Sequence, residues 1–356
     1  MHISVFISSH GYGHASRCSA VIEALYTWSR EFSFTIYTQI PPSFFKKSLS
    51  ASHQIIPLKN DVGLVQKTPM VSDLKQTLHE LKKFYPISPE LLHNLDSQFK
   101  ENQTQAIICD IAPLGIRAGL HSDIPIYLIE NFTWDWIYQD YAPEYPEFQY
   151  YADLLNELFG HPRINRIQAR PAAPAANSSI SVPPISRSPR NYPAHTKQYL
   201  GIPSASKVVL ITMGGIPHNY KLIDQLQHQH ELTFLLPGTS DHLNYDNNCI
   251  LFPHESEFFH PDLVAASDLI VGKLGYSTLA EVYVTSTPFL YIKRDGFKEM
   301  EVLETFVQNY LNASPIHSSM FDGTQWIGQI HELIERKSFM KAPVQDGAVQ
   351  AADYIL

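Results

Sequence analysis

Hydrophobic residues recur along the chain with the two periods that distinguish strands from helices. Residues 3–7 form an almost continuous apolar run, which is typical of a strand buried on both faces of a parallel sheet. Residues 18–25 then place apolar side chains three and four positions apart, which is the spacing of one helix face. The chain therefore begins with a predicted strand, turn and helix, the repeating unit of α/β folds.

The same alternation continues through the first half of the chain. Further strands are predicted at residues 32–38, 105–110 and 124–130. Leucines at helical spacing predict a helix over residues 72–85, and Ser88 followed by Pro89 predicts the first turn of the next helix. Residues 44–69 have a mixed pattern that assigns no element. These elements together predict a parallel sheet with helices packed on it.

A change of composition separates this half from the next. Residues 163–206 are rich in Pro, Ala and Ser, which predicts a connector on the surface. Residues 207–215 then repeat the order of strand, glycine turn and helix. Later strands are predicted at residues 231–237, 249–252, 268–271 and 288–292, and helices at residues 324–335 and 346–355. We therefore expect two doubly wound α/β domains, residues 1–185 and residues 186–340, with a cleft between their sheet edges.

The composition excludes some classes of function. The 356-residue chain is 44% hydrophobic and 12% aromatic, which is enough apolar material for two ordinary cores. Its formal charge of −9 and the lack of clustered Lys and Arg argue against a nucleic-acid-binding surface. A small anionic ligand needs only a few local donors and stays possible. The composition does not determine the oligomeric state.

Cysteine use and the terminal sequence indicate the compartment. Cys18, Cys109 and Cys249 are far apart and odd in number, so they predict neither a disulfide framework nor a zinc site. The first residues lack a signal-peptide pattern, and no apolar run approaches about 18 residues, the length of a membrane span. We therefore expect a cytoplasmic protein with no transmembrane segment.

The first turn of the chain is the first candidate site. Gly11 and Gly13 permit a sharp bend and the close approach of a ligand, and the N–H groups of the helix start favour an anion near His14. Asp110 ends a strand whose carboxyl end shares the same sheet edge, so its carboxylate can orient the imidazole and raise its basicity. The alternatives are a tight turn with a solvated histidine and an aspartate that caps the next helix.

Aromatic residues follow the strand predicted at residues 124–130. Residues 131–138 contain four aromatic side chains. They are compatible with the wall of a cleft that binds a sugar or an apolar acceptor, and such clusters more often belong to a domain core.

A second glycine turn follows the strand predicted at residues 268–271. Ser277 or Thr278 can cap the helix that starts there, and the helix start suits a diphosphate because its N–H groups and dipole favour negative charge. Glu281, one turn into the helix, is placed to accept hydrogen bonds from both hydroxyls of a ribose. The alternative is a capped helix with an acidic residue that serves the dipole.

A charged loop follows the next predicted strand. Arg294 is suited to contact phosphate, and Asp295 or Glu299 is suited to contact sugar hydroxyls. A solvated loop that binds nothing explains the same pattern.

Together these motifs resemble the GT-B superfamily of nucleotide-sugar glycosyltransferases, in particular the enzymes that add N-acetylglucosamine to lipid I. The chain is most similar to the glycosyltransferase-like N-terminal module of plant arabinose kinases and its stand-alone bacterial relatives. The stretches that carry this similarity are residues 9–17, 130–138 and 272–278, with Arg294 and Asp295 beyond them. The resemblance implies the GT-B fold, in which two doubly wound Rossmann-like α/β domains face each other across a cleft.

The resemblance also implies roles for individual residues. The first domain would be the acceptor side, with His14 and Asp110 as catalytic residues. The second domain would bind the nucleotide sugar, with Ser277 and Thr278 on the phosphates and Glu281 on the ribose. The other residues implied in nucleotide-sugar binding are Gly11, Gly13, Arg17, Gly214, Gly215, His254, Lys273, Gly275, Tyr276, Arg294, Asp295 and Glu299.

Two further expectations follow from the same resemblance and from the motifs. Residues 341–356 would form a helix that returns to the first domain, which would couple domain closure to ligand binding. No Asp-x-Asp pair follows a predicted strand, so we expect no metal site and no cofactor beyond the nucleotide sugar itself.

Three functions remain open at this point. The first is inverting, metal-independent transfer of a sugar from a nucleotide diphosphate, most often UDP in similar families, to an unknown small molecule or glycan, with His14 as general base. The second is hydrolysis or epimerisation, because a similar Gly-x-Gly-His-x-x-Arg turn occurs in the GT-B hydrolase of pseudaminic acid synthesis. The third is a non-catalytic protein that binds sugar nucleotides.

Overall fold

Strands and helices alternate along both halves of the chain, as the spacing of the apolar residues predicts. The contacts between residues separate two units, Met1–Ile185 with Asp346–Leu356, and Ser186–Gln345. Over the described residues, each unit is built on one sheet of seven strands. The computed structural model describes residues 1–68, 71–174, 180–214, 222–253, 255–293, 296–321, 323, 325–336 and 345–356.

The sheet of the first unit is parallel throughout. The strands of this unit are β1 (His2–Ile7), β2 (Ser33–Thr38), β3 (His53–Pro57), β4 (Gln66–Thr68), β5 (Val71–Ser72), β6 (Thr104–Asp110), β7 (Ile126–Glu130), β8 (Ile164–Ala169) and β9 (Ile180–Val182). The order across the sheet is β3-β2-β1-β6-β7-β8-β9, and β4 and β5 form a separate antiparallel pair. Val5, Ile107 and Leu128 are fully buried at its centre, as the apolar runs predict.

Helices connect these strands where the leucine spacing and capping residues place them. They are α1 (Tyr12–Trp28), α2 (Pro42–Ser48), α3 (Leu74–Phe84), α4 (Pro89–Glu101), α5 (Pro113–Ser122), α6 (Trp134–Tyr141) and α7 (Glu147–Phe159). Ser88 caps α4 as predicted, because its hydroxyl accepts a hydrogen bond from Leu91 N. Pro89 then occupies the first turn, where its missing N–H costs nothing.

Two stretches of the first unit differ from the expectation. The predicted connector over residues 163–206 contributes β8 and β9 to the sheet, because short apolar runs inside the proline-rich sequence are buried there. In the stretch 44–69, which had no assignment, the described residues 44–68 contain most of α2, all of β3 and β4, and the loop between these strands. Half-polar strand sequences such as that of β3 carry a weak periodic signal, which explains the omission.

The second unit repeats the architecture with one antiparallel edge. Its strands are β10 (Lys207–Thr212), β11 (Leu232–Ser240), β12 (Asn244–Asp246), β13 (Cys249–Pro253), β14 (Leu269–Lys273), β15 (Phe289–Ile292) and β16 (Ala313–Ile316), in the order β12-β13-β11-β10-β14-β15-β16. Its helices are α8 (Pro193–Tyr199), α9 (Ile223–Leu226), α10 (His260–Ala265), α11 (Tyr276–Thr285), α12 (Glu299–Tyr310) and α13 (Gly328–Glu335), with a 3₁₀ turn at Ser318–Met320. Only β12 runs antiparallel to its neighbour.

The last helix of the chain, α14 (Gly347–Ile355), belongs to the first unit, where it packs against α1. The Asp346 side chain caps it by accepting hydrogen bonds from Ala348 N and Val349 N. None of the helices in the described part of the chain is both long and apolar enough to cross a bilayer.

Each sheet has one point where the strand order reverses. In the first unit this point lies between β1 and β6, where Ile7 pairs with Asp110. In the second unit it lies between β10 and β14, where Thr212 pairs with Gly272. Doubly wound folds bind ligands beyond the carboxyl ends of the strands at this switch point. The two predicted glycine turns, before His14 and before Ser277, therefore each follow a strand at a switch point.

Candidate active site

The turn between β1 and α1 brings two charged side chains to the first switch point. Gly11 precedes α1 with φ 85° and ψ 167°, a conformation that glycine adopts far more readily than other residues. The helix starts at Tyr12, so His14 and Arg17 are three positions apart and share one helix face. This face is turned toward the end of β6, where Asp110 lies.

His14, Asp110 and Arg17 form a buried cluster. His14 Nδ1 lies 2.8 Å from Asp110 Oδ1. Arg17 Nε donates to Asp110 Oδ2 at 2.8 Å, and Arg17 Nη2 donates to Asp110 Oδ1 at 2.6 Å. Its third nitrogen, Nη1, donates to Asn131 Oδ1 at 2.6 Å. His14 and Asp110 are therefore neighbours, as predicted. The alternative in which Asp110 caps the next helix is wrong, since the N-cap of α5 is Ala112 and α5 has no side-chain cap.

The electrostatics of this cluster fix the orientation of the imidazole. Burial by itself raises the pKa of Asp110, but the Arg17 guanidinium and His14 outweigh it and hold that pKa below its ordinary value. An ionised carboxylate only accepts hydrogen bonds, so Nδ1–H of His14 is the donor in this contact. No described residue hydrogen-bonds Nε2. Among the described residues, Asp110 therefore holds the ring through Nδ1.

Arg17 does not have the predicted role. It was expected to bind the nucleotide sugar, but its guanidinium is 1% exposed and its three donor nitrogens are engaged by Asp110 and Asn131. Because two of these nitrogens donate to Asp110, Arg17 serves to keep that carboxylate ionised and in place.

The aromatic segment after β7 is largely domain core. Phe132, Trp134 and Tyr138 are each at most 3% exposed, so they form no open wall. Phe132 nevertheless meets the His14 ring edge-on, with 6.1 Å between the ring centroids. Phe132 therefore gives the histidine apolar support, and Trp134 packs against Phe132 with 5.3 Å between ring centroids.

The second switch point presents a helix start with a glycine N-cap. Helix α11 begins at Tyr276, and its N-cap Gly275 has no side chain that could cap it. The predicted capping role of Ser277 or Thr278 is therefore wrong, because the helix begins before them and both lie within its first turn. Thr278 is buried, whereas Gly275 and Ser277 are partly exposed. Uncapped N–H groups at a helix start favour an anion.

Glu281 lies one turn further along α11 and differs most from its predicted role. Its Oε1 accepts from Arg187 Nη2 at 3.0 Å, and its Oε2 lies 2.8 Å from His260 Nδ1. Burial by itself raises the pKa of Glu281, but His260 and Arg187 outweigh it and lower that pKa. With the carboxylate 4% exposed and both oxygens engaged, this geometry contradicts bidentate contact with a ribose. Glu281 instead joins α11 to α10 and to the start of the unit.

The remaining predicted residues are distributed as follows. Gly13 is half-buried in the first turn of α1, and Gly214 follows β10 with φ 72° and partial exposure. Lys273 ends β14 and is half-buried, and Tyr276 is 7% exposed. Glu299 is buried as the first residue of α12, which does not favour its predicted contact with sugar hydroxyls. The predictions for Gly215, His254, Arg294 and Asp295 lie outside the described residues.

Three residues near these sites had no sequence-based assignment. Asp61 is buried next to the first turn and accepts hydrogen bonds from Ser8 Oγ at 2.6 Å and Trp134 Nε1 at 2.8 Å. His260 and Arg187 hold Glu281. A turn signal at residues 60–63, and a histidine before Pro261 at a helix start, were the available hints.

Comparison with known proteins agrees with this architecture. The chain is 25% identical over 367 residues to the L-arabinokinase of Arabidopsis thaliana, an alignment that covers 98% of the chain and 33% of that protein. The chain thus spans about a third of the length of this curated relative. No protein-family profile matches it.

Solved structures resemble the whole chain. The calicheamicin glycosyltransferase CalG4 aligns with a TM-score of 0.63 and 13% identity, covering 99% of this chain and 97% of that one. The glycosyltransferase VinC, solved in complex with DTDP, aligns with a TM-score of 0.61 and 12% identity, covering 100% and 94%. The chain has the GT-B fold. In the GT-B fold seen here, the His14 cluster occupies the switch point of the first sheet and the start of α11 that of the second.

Proposed function

We propose that this protein is a glycosyltransferase that moves a sugar from a nucleotide-diphosphate sugar to a hydroxyl of an acceptor, with inversion and with His14 as general base. The observation that carries the proposal is the pairing of His14 with Asp110 at the first switch point of a GT-B fold. An imidazole held through Nδ1–H by an ionised carboxylate presents a basic Nε2, which is what deprotonation of a hydroxyl requires.

In the proposed step, the acceptor hydroxyl gives its proton to His14 Nε2 while its oxygen forms a bond to the anomeric carbon. The bond between that carbon and the diphosphate oxygen breaks, and the diphosphate leaves with the electron pair. A single displacement inverts the carbon. Asp110 stabilises the imidazolium that forms, and general-base catalysis of this kind contributes about 10² to 10⁴ in rate.

The second unit would bind the nucleotide part of the donor. The uncapped N–H groups at the start of α11 and the turn at Gly214 would stabilise the departing diphosphate, which gives the proposal a metal-independent source of charge compensation. Because VinC was solved with DTDP and UDP-sugars are the expected donors, both nucleotides are the first to test.

The test measures release of nucleotide diphosphate from UDP-sugars and dTDP-sugars, with and without a panel of hydroxyl-bearing acceptors. We expect release that depends on the acceptor and falls by about 10² to 10⁴ in His14→Ala. Release at a catalytic rate without any acceptor would indicate hydrolysis. Nucleotide binding by calorimetry with no turnover across the panel would indicate a non-catalytic protein. Either of these results would overturn the proposal.

A further inference from the structure

The loop after β3 borders the His14 site and has no role in the step described above. Asn60 ties this loop to the sheet, since its Nδ2 donates to Ile7 O at 2.9 Å and to Tyr37 O at 2.6 Å. Leu114 N, at the start of α5, donates to Asn60 O at 3.2 Å. The loop is therefore fixed at the carboxyl ends of β1 and β2, the edge on which His14 lies.

Gly63 lets the loop pack closely against the side chains of His10 and Trp134. Its φ is +59°, and a Cβ at this position would lie 3.0 Å from His10 Nδ1 and 3.1 Å from Trp134 Cζ2. Tyr138 donates from its hydroxyl to Gly63 O at 2.8 Å. Because glycine adopts this conformation easily and adds no side chain, the loop can pack tightly and hold Asp61 in one orientation.

Asp61 is a buried carboxylate supported by neutral donors. Ser8 Oγ and Trp134 Nε1 both donate to Oδ2, at 2.6 Å and 2.8 Å. Asp61 forms no ion pair with any residue that the structure describes. Burying a carboxylate without a paired cation is unfavourable, and an amide or apolar side chain would avoid that cost. An aspartate here therefore calls for a reason other than stability.

The second carboxylate oxygen points to that reason. No described residue hydrogen-bonds Oδ1, although Asp61 is 6% exposed and this atom is not completely enclosed. Ser8, whose hydroxyl donates to Asp61, also donates from its backbone N–H to Asp110 O at 3.2 Å, so Asp61 lies near the strand end that holds His14. Burial is the largest effect on the pKa of Asp61 and leaves it raised, and the charge of His14 lowers it in part. An acceptor atom without a partner among the described residues therefore lies near the proposed base.

We propose that Asp61 is a substrate-contacting residue whose Oδ1 accepts a hydrogen bond from one hydroxyl of the acceptor, while His14 Nε2 takes the proton of a neighbouring hydroxyl. This inference rests on the proposed function and names its substrate class. The acceptor is a polyhydroxylated compound, a sugar or related polyol, with at least two adjacent hydroxyls. Asp61 neither gains nor loses a proton in the step, because its task is to orient the acceptor.

The test uses Asp61→Asn, which keeps the size of the side chain and an oxygen for Ser8 and Trp134 but places an N–H₂ group where Oδ1 lies. Acceptors are a panel of aldopentoses and aldohexoses, each paired with its monodeoxy analogues. We expect Asp61→Asn to lower kcat/KM for the parent sugar by about tenfold or more, and to change that for the analogue lacking the contacting hydroxyl by less than about threefold.

Two further variants separate contact from structure. Ser8→Ala removes a donor to Oδ2 and leaves Oδ1 in place, so it should not abolish the preference for the parent sugar. Asp153→Asn changes an exposed carboxylate on α7 and should match the wild type in every assay. If Asp61→Asn lowers kcat/KM equally for parent and deoxy sugars, or leaves both unchanged, the inference is overturned.

A binding measurement keeps this inference distinct from the proposed function. Saturation-transfer NMR reports binding of the free sugars without any donor. Sugar binding that wild type shows and Asp61→Asn loses, together with no transfer from any donor, would retain the contact and overturn the transferase proposal. If no sugar of the panel binds the wild type and none is glycosylated, the role of Asp61 is wrong. Thermal unfolding of each variant confirms that it is folded.

Discussion

Each unit places a histidine, a carboxylate and an arginine together at its switch point. The two sets differ in the contacts of one histidine nitrogen, Nε2. His14 Nδ1 contacts Asp110 and His260 Nδ1 contacts Glu281, both at 2.8 Å. His260 Nε2 lies 3.2 Å from the Thr212 hydroxyl, whereas no described residue hydrogen-bonds Nε2 of His14. A histidine paired with a carboxylate is therefore the proposed base in one unit and connects packed elements in the other.

The difference follows from where the carboxylate stands in the fold. Asp110 ends a strand, so its partner on α1 projects beyond the sheet edge. Glu281 lies inside α11, and its partners come from α10 and from the segment that opens the second unit. In this protein the carboxylate within a helix connects packed elements, while the one at a strand end holds a histidine at the switch point, where doubly wound folds bind ligands. Position in the sheet, more than residue type, decides the chemistry.

The strongest test of this comparison is loss of each histidine. We expect His14→Ala to lower kcat for nucleotide release by about 10² to 10⁴, and His260→Ala to lower it by less than about tenfold, because the proposed mechanism assigns proton transfer to His14 and not to His260. Initial rates at saturating donor give the comparison. Equal losses in the two variants would remove the distinction between the two histidines.

The arginines provide the second test, through stability. Arg17→Met leaves Asp110 buried with its main cation gone, so we expect a loss of about 3–5 kcal/mol in the free energy of unfolding. Arg187→Met should cost less, since the Arg187 side chain is 10% exposed and Arg17 is 1% exposed. Chemical denaturation at neutral pH measures both.

The pH dependence of the stability of Arg17→Met is the control for this prediction. Arg17 holds the pKa of Asp110 low, so the pair stabilises the folded state above the unfolded pKa of an aspartate, about 3.9. That contribution is lost as pH falls through the lower, folded pKa. The deficit of Arg17→Met should therefore shrink in acid, and a deficit that stays constant would contradict the assignment.

The third test is the pH dependence of stability at Asp61, whose pKa is shifted in the opposite direction to that of Asp110. Burial raises its pKa in the folded state, so its contribution to stability is lost as pH rises from the unfolded pKa through the folded one. We expect Asp61→Asn to gain stability over the wild type across this window, by about 1.4 kcal/mol for each unit of raised pKa. Urea midpoints from pH 4 to pH 8 check it. A variant less stable at pH 8 than at pH 4, relative to the wild type, would refute it.

The smallest effect concerns Glu281 and nucleotide affinity. Because both carboxylate oxygens are engaged by Arg187 and His260, Glu281→Gln should change the affinity for UDP or dTDP by less than about threefold, well below 1 kcal/mol. Thermal stability should fall instead. Titration calorimetry separates the two: a tenfold loss of affinity in a variant of unchanged stability would restore the ribose contact.

The sequence by itself determined the periodic elements and the place of the two glycine turns. Buried parallel strands have almost continuous apolar sequences, so β1, β6 and β10 were predictable. Ser88 as N-cap, followed by Pro89, predicted the start of α4. The neighbourhood of His14 and Asp110 was predictable as well, because strand ends of a parallel sheet share one edge. These features depend on short-range periodicity or on a general rule of the fold.

Only the tertiary structure decided how each charge is used. Arg17 and Glu281 are of residue types that can bind phosphate and ribose. Packing instead directs both side chains to buried protein partners. Asp61 lies in a stretch with no periodic signal, 49 positions before Asp110 in the numbering, and the fold brings both to one histidine. The reason is physical: a side chain's partner is set by long-range packing and by the cost of burying charge, and neither is encoded in local spacing.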